Sequence, residues 1–161
     1  FWFLGPLHVL LSFVSTYFLQ TNPCVSCVLH FCSIQAVMKK ACGNDHLAIA
    51  WQYPGKTRDV IPAEFSRVTN PYKVGANLDT WTGIGGMSIA DLKSGTNNLT
   101  NQPQMSERLQ YLLEAPSNVG DNYGSRMSGW LVPPVTGAYV FWIASDDNGE
   151  LWLSTNDDPT N

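Results

Sequence analysis

This sequence predicts an all-β chain, an antiparallel β-sandwich, preceded by a hydrophobic helical segment. Short runs of residues alternate between apolar and polar with a period of two, as half-buried strands do. Turn-forming clusters separate these runs at roughly ten-residue spacing, the rhythm of a sandwich. The strongest run, Ala138–Ala144, is apolar on both faces and fits an interior strand covered on both sides.

The first segment, Phe1–Leu19, reads FWFLGPLHVLLSFVSTYFL. At about 1.5 Å rise per residue it nearly crosses a hydrocarbon core of about 30 Å. Pro6 would kink such a helix or sit in its first turn. No Asp, Glu, Lys or Arg occurs from Phe1 to Met38, so the basic n-region of a secretory signal is missing. A signal or anchor helix, a translated non-coding stretch and a core helix all remain open for residues 1–32. Lys39 and Lys40 lie too far away to orient a membrane helix. Because the chain begins with Phe and stops at Asn161 just after a strand-like run, it reads as a piece of something longer.

Cys24, Cys27, Cys32 and Cys42 all precede Gly43. Cys24-Val-Ser-Cys27 is a C-x-x-C, but Cys32 and Cys42, with His30 nearby, are poorly spaced to complete a zinc module. The simpler expectation is incidental thiols or one disulfide.

His46–Tyr53, HLAIAWQY, places Leu47, Ile49 and Trp51 on one face, between the turn chemistry of Cys42–Asp45 and Pro54-Gly55. Thr57–Tyr72, broken by Pro62 and Pro71, is expected to be loop with one turn over Pro62–Phe65. Residues 67–79 read as a linker. Gly83–Gly86 lacks the Gly-Lys-Ser/Thr of a phosphate loop and reads as a turn after a short strand. Asn98-Leu99-Thr100 is a glycosylation acceptor pattern in a secreted chain. Leu109–Leu113 and Tyr123–Val132 read as strands. After Pro133-Pro134 and Thr136-Gly137 comes the Tyr139, Phe141, Ile143 strand, then a tight acidic turn and the return strand Glu150–Ser154, with Leu151 and Leu153 facing the core.

A net charge of -4 without any basic run disfavours nucleic acid as a partner. His8, His30 and His46 form no readable nucleophile–base set, and Asp146 and Asp147 are neighbours rather than an acid–base pair across a cleft. The chain is therefore expected not to be an enzyme.

The run from Gly129 to Leu153, GWLVPPVTGAYVFWIASDDNGELWL, resembles the PA-fourteen domain family, named for the N-terminal fragment of anthrax protective antigen. Its marks are an arginine-bearing strand, here Arg126, a Pro-Thr-Gly-type turn, an aromatic strand, an Asp-Asp turn and a leucine strand. Trp81 and Ile89–Leu92 are similar to the domain's opening. Gln35–Tyr53, with its Gly-Asn-Asp turn, resembles the closing strand, and Arg58–Ala63 the tail that follows it. The resemblance implies that residues 33–66 end one copy and residues 80–161 open the next, a tandem repeat cut out of phase. The closing strand is then expected to dock back on the opening half, in the sandwich of the Tyr139 strand.

The resemblance also implies a function. In lectin members of the family an Asp-Asp pair, joined by a cis peptide, holds calcium that ligates sugar hydroxyls. Calcium takes six to eight oxygen ligands. Asp146 and Asp147 carry the expected metal site, with Asn148, Asp45 and Asn44 as accessory ligands and Trp152 as a glycan contact. The competing reading is a self-capping acidic hairpin turn, and Trp142 and Trp152 at strand spacing suit core or sheet surface. The expected partner is a glycan or cell-surface polysaccharide, at an extracellular or cell-surface location, with membrane contact only through a genuine N-terminal anchor. The alternatives are a structural repeat of an extracellular adhesin without its own ligand, and an accessory domain of a secreted hydrolase.

Overall fold

A computed structural model describes residues 11–14, 19–27, 32–68, 73–94 and 98–154, the first two stretches as backbone only. Among the described residues, eleven strands form two sheets and the one α-helix has six residues. The larger sheet contains β1 (Leu11–Val14), β3 (Cys32–Lys40), β6 (Ser66–Arg67), β7 (Ala76–Thr82), β8 (Met105–Leu109), β9 (Tyr123–Leu131) and β11 (Asn148–Leu153). Its order is β1-β11-β3-β9-β7-β8, with β6 also paired to β9. The smaller sheet has the order β2-β10-β4-β5, from β2 (Leu19–Cys27), β10 (Gly137–Asp146), β4 (His46–Tyr53) and β5 (Lys56–Val60). All pairings are antiparallel, so the all-β sandwich expected from the sequence is what forms.

Strand periodicity decides which residues meet between the sheets. On β3, Cys32, Ile34, Ala36 and Met38 point inward, and on β4 Leu47, Ile49 and Trp51 do the same. Tyr139, Phe141 and Ile143 of β10 complete the layer with Leu151 and Leu153 of β11. Trp51 is its centre, with ring centroids 5.4 Å from Tyr139 and 5.5 Å from Phe65. Tyr139 buries its ring without orphaning its hydroxyl, which donates to the Val135 carbonyl at 2.8 Å.

Alternation also explains the outer face of the larger sheet. Val37 points there, with Trp81 from β7, under α1 (Ile89–Ser94), whose Ile89 and Leu92 form a second small cluster with Ile84. Ser88 and Asp91 cap this helix reciprocally: the Ser88 N–H and hydroxyl donate to Asp91 Oδ2, and the Asp91 N–H donates to Ser88 Oγ. Leu92 packs so closely on β9 that a Cβ on Gly124 would meet its Cδ1 at 2.5 Å.

The strand His46–Tyr53 docks where expected. It pairs with β10 in unbroken register from Val140↔Gln52 to Asp146↔His46. Pro62 precedes a 3-10 turn over Ala63–Phe65, also as expected.

Other expectations need correction. The N-terminal segment was expected to be helical. Where described, it is extended: β1 pairs with β11 and β2 with β10. Strand β11 offers β1, and β10 offers β2, an open edge of backbone groups to pair, and Phe13, Val14, Thr21 and Val25 are β-favouring residues. Thr57–Val60, expected to be loop as part of Thr57–Tyr72, belongs with Lys56 to β5, formed by the Pro54-Gly55 hairpin. Ala76–Asp79, read as the end of a linker, is the first half of β7; Asn77 and Asp79 hid its inward alternation of Ala76, Leu78 and Thr80. Glu150–Ser154 was expected to return alongside β10. Instead β11 leaves for the other sheet and pairs with β3 and β1. Cys42 is an exposed free thiol, and Cys32 is buried in the core. The side chains of Cys24, Cys27 and His30 lie outside the described residues.

Trp51→Ala should cost about 3–5 kcal/mol, the usual result of deleting a large buried ring. Equilibrium urea unfolding measures it, and a loss under about 1 kcal/mol would contradict the packing described.

Candidate functional site

The site expected from the sequence lies where the chain crosses between sheets. β10 ends at Asp146 and β11 begins at Asn148, with Asp147 as the corner. The Asp146–Asp147 peptide is cis, as the resemblance implied. Gly149 lets the two strands approach: a Cβ there would meet Ser145 Oγ at 2.3 Å and Ser145 Cβ at 2.7 Å. The Asp147 N–H donates to the Lys39 carbonyl at 3.2 Å and its Oδ2 accepts from the Ala41 N–H at 2.8 Å, which pins the corner to the end of β3.

Lys40 is the cation that faces both carboxylates. Continuing the inward row of Cys32, Ile34, Ala36 and Met38, it turns its side chain under the corner and is 1% exposed. Its Nζ lies 3.4 Å from Asp146 Oδ1 and 3.6 Å from Asp147 Oδ1. The carboxylates themselves stay partly open, at 22% and 17% exposure. Burial pushes the Asp147 carboxyl up, but the Ala41 N–H, Lys40 and Asp146 outweigh it and hold its pKa below the ordinary carboxylate value.

Lys39 points the opposite way and is fully buried. Its Nζ donates to the Lys40 carbonyl at 2.6 Å. Burial lowers its pKa, against the pull of Asp91 and Asp147. Asp91 is itself held low by its hydrogen bonds from Ser88, with a smaller pull from Lys39.

The other predicted residues separate from the corner chemistry. Asp45 is 2% exposed and spends its carboxylate on the backbone N–H groups of Asn118, Val119 and Gly120. Burial, reinforced by Asp45, raises the Tyr123 pKa far above the ordinary phenol value. Asp45 thus holds a loop rather than a ligand, although its neighbour His46 pairs with Asp146. Asn44 is exposed on the turn before β4. Asn148 donates through Nδ2 to the Met87 carbonyl at 2.9 Å and ties the corner to the segment before α1. Trp152 is half-buried on the outer face, with Lys93 Nζ 5.3 Å from its ring centroid and bonded to Glu150 at 2.7 Å. Arg126 lies on the same face, 5.1 Å over Trp81 and paired with Asp79 at 2.8 Å.

The donor set does not fit calcium. Calcium seeks six to eight oxygens at about 2.3–2.6 Å. An ammonium already faces one oxygen of each aspartate, and a backbone N–H takes the second oxygen of Asp147. Among the described residues no group of three or more His, Cys, Asp or Glu is arranged to hold a metal ion. Sequence reasoning missed Lys40, although the signal was present: it is the fifth member of an alternating core row and the first lysine on that face.

Residues 86–157 match the family model of the PA14 domain. The chain is 31% identical over 111 residues to N-acetyl-beta-glucosaminyl-glycoprotein 4-beta-N-acetylgalactosaminyltransferase 1 of Mus musculus. That similarity covers 66% of this chain and 10% of the mouse protein, so the chain spans about a tenth of that relative's length. No solved structure matches.

A lowered carboxylate pKa in the folded state stabilises the fold above the unfolded value, about 3.9, and that stability is lost as pH falls through the folded value. Asp147→Asn should therefore flatten the loss of thermal stability on acidification below about pH 4. An unchanged acid dependence of the melting temperature would show that Asp147 is not the group responsible.

Proposed function

We propose that this chain, whose residues 86–157 match the PA14 domain model, is a glycan-binding β-sandwich module rather than an enzyme. The observation that carries the proposal is the family match itself, which runs through the Asp146–Asp147 corner. Its similarity to a mouse protein named as a glycoprotein N-acetylgalactosaminyltransferase supports a glycan-related setting. The ligand would be a glycan of a glycoprotein or cell surface, and the setting extracellular. The two carboxylates, partly exposed beside one another, offer acceptors to sugar hydroxyls. Calcium is left out of the proposal because Lys40 faces both of them.

A structural repeat without a ligand is the second reading, and one observation favours it. The corner is internally satisfied: Lys40, Ala41 and Lys39 engage the aspartates, and Asn148 is tied to Met87.

A glycan array followed by NMR titration of the best binder separates the two. Glycan binding predicts shifts centred on Asp146, Asp147 and Asn148 and at least tenfold weaker binding by Asp146→Asn, roughly 1.4 kcal/mol. No binding to any glycan, with the fold intact, would leave the structural reading.

A further inference from the structure

We infer that Lys40 stands in for a divalent cation at the inter-sheet corner, so that the charge of Asp146 and Asp147 is offset in part by the chain itself and the corner is calcium-independent. The inference goes beyond the glycan proposal, since it concerns what balances the charge of the corner and not what the corner binds.

Two carboxylates joined through one peptide bond repel each other and need a positive partner. Such a partner can come from solvent as a metal ion or from the chain as an ammonium. Here the Lys40 ammonium faces the Oδ1 atoms of both residues at 3.4 and 3.6 Å. An ion within bonding distance of the same two oxygens would crowd it and repel its charge.

Lys40 is not a surface side chain that could swing away. It ends the inward row of β3 and is buried to 1% exposure, so leaving the aspartates would strand a charge inside the sandwich. The backbone holds the pair in register: Ala41 N–H binds Asp147 Oδ2, and the Lys39 carbonyl accepts from the Asp147 N–H. The only other buried ammonium described nearby, that of Lys39, donates to the Lys40 carbonyl and is drawn toward Asp91 as well as Asp147. Lys40 is therefore the cation of the corner. Removing it should turn the corner into a cation-dependent one.

Thermal melting of the full chain in millimolar calcium and in chelator tests this, with terbium luminescence as a second readout. The wild-type chain should melt at the same temperature in both and show no saturable terbium signal. Lys40→Met should melt lower in chelator and be raised by calcium. Lys40→Gln, which keeps a hydrogen-bond donor, serves if the methionine variant does not fold. A calcium-dependent rise in the wild type that Asp147→Asn abolishes would overturn the inference. So would a folded Lys40 variant whose melting is identical in calcium and chelator. No sugar enters these measurements, so their failure leaves the glycan proposal standing, and an empty glycan array leaves this inference standing.

Discussion

The Lys40–aspartate contact fixes where the chain changes sheet. Strand β10 lies inside the smaller sheet and β11 inside the larger one, so the peptide between them must turn without leaving the core open. Asp147 makes that turn by bonding to the backbone of Lys39 and Ala41, and the charge this brings to the core edge is balanced by Lys40. Both strands flanking the corner, and the aromatic layer of Trp51, Tyr139 and Phe141 that β10 carries, depend on this junction being held. An unpaired buried charge at such a place is far more damaging than the net worth of the pair.

The same junction links the two sides of the larger sheet. Successive residues of β3 point to opposite faces, so Lys40 serves the corner from within while Lys39 sits under α1 near Asp91. Asn148, one residue past the corner, bonds to the Met87 carbonyl just ahead of that helix. Chemistry at the corner and placement of the short helix are thereby coupled through one strand end. Any ligand that draws on Asp146 or Asp147 must work against contacts already made inside the protein, so its recognition would rest on hydrogen bonding to partly exposed oxygens.

Much of the fold was legible because burial imposes a simple period. The inward rows Leu47-Ile49-Trp51 and Tyr139-Phe141-Ile143 could be read directly, as could the turns that end them. What was hidden obeyed the same physics through polar residues. Lys56–Val60 is exposed along nearly its whole length, so β5 carries no apolar signal and exists because β4 had an edge to pair. α1 is too short for helical periodicity to register. The direction taken by β11 was invisible, since a strand returning in its own sheet and one crossing to the other bury the same Leu151 and Leu153.

The candidate site was legible in its acidic half alone. The Asp-Asp pair stood out by chemistry and by resemblance, whereas its partner lies over a hundred residues earlier in the sequence. Asp45 was drawn in by its acidic character, yet the loop amides of Asn118–Gly120 claim it. A crystal structure of the wild-type chain grown in calcium tests the corner most directly. Lys40 Nζ is expected between Asp146 and Asp147, with no metal density there. A metal peak bonded to both carboxylates, with Lys40 turned away, would contradict it.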